Sequence, residues 1–290
     1  MQDNRELSAL LQLIDDPDNE VFDTISAKIL HYGKAVIPRL EQLWEFTTDI
    51  EVQERIESLI HRVHFQDLQS EFVEWVNVPK PDLLKGAILI AKYKYPELKV
   101  PLILQQFDQL RRNIWLELNN YLTPLEQINV FSSILYNYYK LQGHELTERN
   151  PDHFFINKVL DSRQGNSFSL GIIYLALADL LDIPVFAVNL PRQFIFAYID
   201  TLHHFFSNDD EGLKQIQFYI DPLNGIVYTQ HDVDAYLRKI QAEERELYFT
   251  VLTAPVIIHK TLEELALCYQ YKQQELQAAE IRQLMAIIKP

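Results

Sequence analysis

Asn166, Ser167 and Ser169 stand in a polar turn, RQGNS, that runs directly into the apolar stretch FSLGIIYLALADLLDIP. A hydroxyl at the positive end of a buried helix is placed for one of two roles. As a nucleophile it gains from the helix dipole and the free amides. As a cap it satisfies those same amides. A serine nucleophile needs a base, and that base needs an orienting partner. His153, His204 and His231 are the spare histidines, and none is tied to Ser167 by spacing. Capping is therefore the preferred reading. Two groups carry metal-ligand types. His203-His204 with Asp209, Asp210 and Glu211 reads better as a solvated acidic loop, since neighbours on a strand face opposite ways. Glu57, His61, His64 and Asp67 share one helix face by spacing, and a solvated face is again preferred. No metal or cofactor is expected.

The elements around the turn follow from periodicity. Val21, Ile25 and Ile29 recur at helical spacing after Asp16-Pro17 stops a first helix. Val52, Ile56 and Ile60 repeat that spacing 31 residues later. The stretch beginning DDPDNEV resembles HEAT-type helical repeats. A helix is predicted over about 81–93, then a short extended piece between Pro96 and Pro101. Helices continue to about Leu141, with Thr123 as N-cap and Pro124 at the first helical position. QGHELTERNPD reads as a polar loop, followed by a short helix over about 153–160. After Pro184 the period changes from 3.6 to 2. VFAVNL (185–190), QFIFAYI (193–199), IQFYID (216–221) and GIVYT (225–229) predict an antiparallel sheet. Thr229 marks a further helix start. From Pro255 two helices with a break near Lys272 form a hairpin loosely like a tetratricopeptide unit.

Composition narrows the function. The formal net charge is −15, which opposes phosphate backbones and anionic membranes, and Arg111-Arg112 is no basic stripe. Nucleic acid and membrane partners are not expected; the acidity favours basic partners. The single cysteine, Cys268, excludes an intrachain disulfide and a thiolate zinc cluster, and its helical spacing reads as core. The N-terminal residues lack a basic region and an apolar leader, so a cytoplasmic protein is expected.

GNSFSLGIIYLALADLLDIPVFAV resembles the transglutaminase-like fold shared with papain-type cysteine enzymes. More narrowly, this turn with LPRQF (190–194) and YIDPLNG (219–225) is similar to the bacterial SirB-type branch of the transglutaminase-like proteins, over roughly residues 80–290. The resemblance implies a cysteine at position 167, a histidine at 193 and an aspartate at 221. This chain has Ser167, Gln193 and Asp221, with Arg192 where the branch usually has glycine. Glutamine has no titratable nitrogen. Losing a general base costs about 10²–10⁴-fold in rate.

The expected fold is α+β: an N-terminal HEAT-like helical region (1–105), a transglutaminase-like, papain-like core with an antiparallel sheet (106–254), and a C-terminal tetratricopeptide-like hairpin (255–290). The expected function is binding of a protein or peptide by a non-catalytic relative. The cleft would hold Ser167, Gln193 and Asp221, with Asn166, Ser169, Asn189, Arg192 and Asn224 around it. The rival reading is a Ser167-dependent hydrolase or acyltransferase with an unidentified base, and a third is a purely structural scaffold.

Overall fold

Apolar spacing produces four helices in the first part of the chain: α1 (Gln2–Leu11), α2 (Asn19–His31), α3 (Ile37–Phe46) and α4 (Ile50–Val76). The computed structural model describes residues 2–199, 216–242 and 248–288. Contacts divide the chain into two units, Met1–Glu74 and Trp75–Pro290. In the first, Asp18 caps α2 by accepting from the Glu20 amide at 2.8 Å. Ile25, Ile29, Leu40, Ile56 and Leu59 belong to its core, and Val21, Val52 and Ile60 of the repeated spacing pack against it partly buried. Arg55 holds the turn after α1 by donating to the Ile14 carbonyl at 3.1 Å.

The second unit begins with α5 (Leu83–Lys94), α6 (Val100–Glu117) and α7 (Pro124–Ser132). The segment between α5 and α6 is a turn, with the Leu98 amide donating to the Tyr95 carbonyl at 3.0 Å, rather than an extended piece. Thr123 and Glu126 cap α7 reciprocally. Next come β1 (Gln142–His144), α8 (Ile156–Ser162), β2 (Gln164–Asn166) and α9 (Ser167–Leu180). β1 lies inside the predicted polar loop and pairs in parallel with β2, His144 opposite Asn166. The remainder is β3 (Val185–Leu190), β4 (Gln193–Ile199), β5 (Ile216–Ile220), β6 (Val227–Tyr228), α10 (Gln230–Lys239), α11 (Ala254–Tyr271) and α12 (Glu275–Ile287).

The sheet is antiparallel in the order β3-β4-β5-β6. The period of 2 gives β4 two working faces. Phe194 and Phe196 meet Gly171 and Tyr174 of α9, while Ile195, Ala197 and Ile199 join a cluster with Val233 of α10. α9 is buried from Phe168 to Ala178, so its all-apolar sequence is that of a central helix. Leu252 N donates to the Ala187 carbonyl at 2.8 Å, which covers the outer edge of β3.

α11 and α12 form the predicted hairpin, and α11 also packs on α5. Among these helices, the Tyr93 hydroxyl donates to the buried Glu280 carboxylate at 2.7 Å. Tyr93→Phe should lower stability by about 1–3 kcal/mol, since it removes a hydrogen bond to a buried polar group. A urea midpoint measures this, with the exposed Tyr138→Phe as control. An unchanged midpoint would show that the pair contributes nothing net.

Candidate functional site

The turn before α9 divides its polar residues between two tasks. Asn166 is the N-cap; its Oδ1 accepts from the Phe168 and Ser169 amides, both at 3.0 Å. Ser169 Oγ accepts from the Asn166 amide at 3.0 Å, completing a capping box. Both side chains are buried, at 2% and 1% exposure, and neither lines the cleft. Ser167 is the hydroxyl left over. It is half-buried, faces the cleft, and makes no side-chain hydrogen bond among the described residues.

That cleft, of about 580 Å³, gathers side chains from distant parts of the second unit. β4 brings Gln193, the β5–β6 turn brings Asp221, and Asn189 and Arg192 come from β3 and the turn after it. Three residues that the resemblance aligns with a catalytic set therefore share one surface. No hydrogen bond joins Ser167, Gln193 and Asp221 to one another among the described residues. Asp221 Oδ1 instead accepts from the Leu223 amide at 2.8 Å and shapes its own turn. Burial, together with the facing Asp221 carboxylate, holds the Tyr228 phenol above its ordinary pKa. Asn224 Oδ1 accepts from the Ile226 amide at 2.9 Å; the residue is exposed outside the cleft. Arg192 adopts a left-handed backbone, φ 60°, which suits glycine better than arginine. Arg192 nonetheless lines the cleft.

The remaining wall is mainly apolar, with acidic residues set into it. Phe168, Val188, Leu190, Phe194, Ile195 and Leu252 are among its apolar residues. Among the described residues, Glu145, Asp221, Asp232, Glu263 and Glu264 face it against Arg192 and Lys260, five carboxylates to two fixed cations. The field in the cleft therefore favours a cation.

Neither described candidate base, His153 nor His231, lines the cleft. His231 is exposed on α10 and does not line the cleft, although Asp232, Val233 and Tyr236 of the same helix do. His203, His204, Asp209, Asp210 and Glu211 lie outside the described residues. His153 is buried behind a different histidine, His144, with ring centroids 4.5 Å apart. Burial, with the neighbouring His144, holds the His153 imidazole below its ordinary pKa. His144 itself lines the cleft, on β1 beside the Ser167 turn. Its segment, Gln-Gly-His, has no strand pattern and reads in the sequence as part of a polar loop. Its Nδ1 lies 2.8 Å from a Glu148 carboxylate oxygen.

The helix face of Glu57, His61, His64 and Asp67 does not converge. Glu57 accepts from Trp44 Nε1 at 3.0 Å, and Asp67 pairs with Lys34. Cys268 is buried in α11, and that burial pushes its thiol up. No helix of the described residues is long and apolar enough to cross a membrane.

The family model of the transglutaminase-like superfamily matches residues 102–263. Protein SirB1 of Salmonella typhimurium is 28% identical over 145 residues, 49% of this chain and 49% of that protein. The UPF0162 protein YchA of Escherichia coli K12 is 27% identical over 146 residues, 49% of this chain and 50% of that protein. A UPF0162 protein of Buchnera aphidicola, BU173, is 26% identical over 171 residues, 58% of this chain and 59% of that protein. The aligned part thus spans about half the length of the curated relatives it matches. No solved structure gives a significant match.

Proposed function

The chain belongs to the transglutaminase-like superfamily, with relatives of the SirB1 and YchA type, and from that premise we propose that it is a non-catalytic member that binds a protein or peptide segment in its cleft. One observation carries the reading. Ser167, Gln193 and Asp221 line a single cleft, yet the position aligned with the base holds an amide and the Ser167 hydroxyl is bonded to nothing among the described residues. A serine without a base is a poor nucleophile. The same surface is well suited to binding. Its apolar wall takes aliphatic or aromatic side chains, and its excess of carboxylates takes a lysine or arginine. The occupant is an extended segment that mixes the two. The HEAT-like helices at one end of the chain and the tetratricopeptide-like α11–α12 hairpin at the other offer further contact surfaces. The protein acts in the cytoplasm and needs neither nucleic acid nor membrane.

Selection of peptides from a random library against the purified chain tests this. Bound peptides should pair an apolar residue with a basic one. Ser167→Trp, which fills the cleft, should weaken them by at least about 10-fold, a loss of about 1.4 kcal/mol. Ser167→Ala should leave them within about 2-fold. Peptides that bind Ser167→Trp as well as the parent chain would place binding elsewhere.

The rival Ser167-dependent hydrolase has a base to name, since His144 reaches the cleft and Glu148 holds its Nδ1. Without a hydrogen bond from Ser167 to that imidazole the pair is not a nucleophile and base.

A further inference from the structure

We propose that His144, Glu148 and His153 form a binding site for a divalent first-row transition ion, Zn²⁺ by preference, at the wall of the cleft. Each residue offers one ligand atom, and these atoms lie within 4.8 Å of one another. Two imidazoles and a carboxylate make a set of two nitrogens and one oxygen. Such a set suits zinc and its neighbours, whereas calcium and magnesium require oxygen.

The approach of His144 Nδ1 to Glu148, 2.8 Å from one carboxylate oxygen, brings both ligand atoms to one place. An ion bound there takes the Nδ1 lone pair and leaves the imidazole proton on Nε2. His153, at 7% exposure, packs tilted against the His144 ring rather than turned to solvent.

The backbone holds the three residues firmly. β1 fixes His144 against β2, and the Gln142 amide donates to the Arg163 carbonyl at 2.8 Å. Glu148 closes a 3-10 turn, Leu146–Glu148. Asn150 caps a second, Pro151–Phe154, by accepting from the Asp152 amide at 3.2 Å. Phe154 and Phe155 then anchor the segment in the core. Ligands on a tethered segment are pre-organised, which favours a specific site over loose association. Three protein ligands leave one position of a four-coordinate ion for water or for an oxygen of the cleft's occupant.

The full chain, stripped with a chelator and titrated with Co²⁺, tests this. About one ion per chain should bind with the intense visible absorption of a tetrahedral site, and Zn²⁺ should displace it. His144→Ala and His153→Ala should each weaken binding by at least about 100-fold, and Glu148→Gln by at least about 10-fold. His231→Ala should change nothing. Circular dichroism checks each fold; if His153→Ala unfolds, the exposed Glu148→Gln still decides. Co²⁺ affinity equal to that of the parent in folded Glu148→Gln and His144→Ala overturns the site, as does a stripped chain that takes up no Co²⁺.

Discussion

Replacing Gly143 by alanine should lower the melting temperature by roughly 6–12 °C, the shift that about 3 kcal/mol produces in a unit of this size. A Cβ on Gly143 would stand 2.4 Å from the Leu223 carbonyl oxygen and 2.9 Å from its Cα. The obstacle is backbone, so no rotamer change relieves it. Overpacking of this kind costs about 1–3 kcal/mol, and a rigid obstacle puts the substitution at the upper end. Gly143 joins two walls of the cleft. It is the neighbour of His144 on β1, and Leu223 follows Asp221 in the β5–β6 turn. Gly143→Ala should therefore weaken peptide binding and metal binding together. The adjacent exposed Gln142→Ala should stay within about 0.5 kcal/mol of the parent. Equal melting temperatures for Gly143→Ala and the parent would mean that β1 is not seated against that turn.

Installing the missing pair should produce the second large effect. In Ser167→Cys the new thiol sits at the first position of α9, where the dipole and the amides favour its thiolate. Its alkylation by iodoacetamide at pH 7 should exceed that of buried Cys268 by at least about 10-fold, following the thiolate fraction that a lowered pKa gives. Adding Gln193→His should raise the rate again, because an imidazolium across the cleft stabilises the thiolate. Peptide mapping separates the two cysteines. A thiol at 167 no more reactive than Cys268 would mean that the turn lacks the geometry the family relationship implies.

Much of this arrangement was legible in the residues. VFAVNL and QFIFAYI became β3 and β4 with the predicted ends, because β-branched and aromatic residues alternate between two buried faces. The uninterrupted apolar run of α9 announced a central helix, and the polar turn announced its cap, although Asn166 is joined there by Ser169 and not by the expected Ser167. Resemblance placed Ser167, Gln193 and Asp221 together, which no spacing rule would have done. β1 was not legible. QGH has one glycine, two polar residues and no alternation, and its strand exists only because β2, some twenty residues on, offers it a parallel edge. His144 was lost with it. The available signal was HELTERNPDH, two histidines and two glutamates within ten residues, of which His144, Glu148 and His153 become a cluster only when two 3-10 turns fold the segment back.

The account centres on a cleft that binds without forming a covalent bond at Ser167. Incubation of the parent chain with a fluorophosphonate, followed by intact mass and peptide mapping, tests it most directly. Ser167 should carry no adduct and should behave as the exposed Ser162 does. A stoichiometric adduct on Ser167 that disappears in His144→Ala would contradict the account and make this protein a serine enzyme with a relocated base.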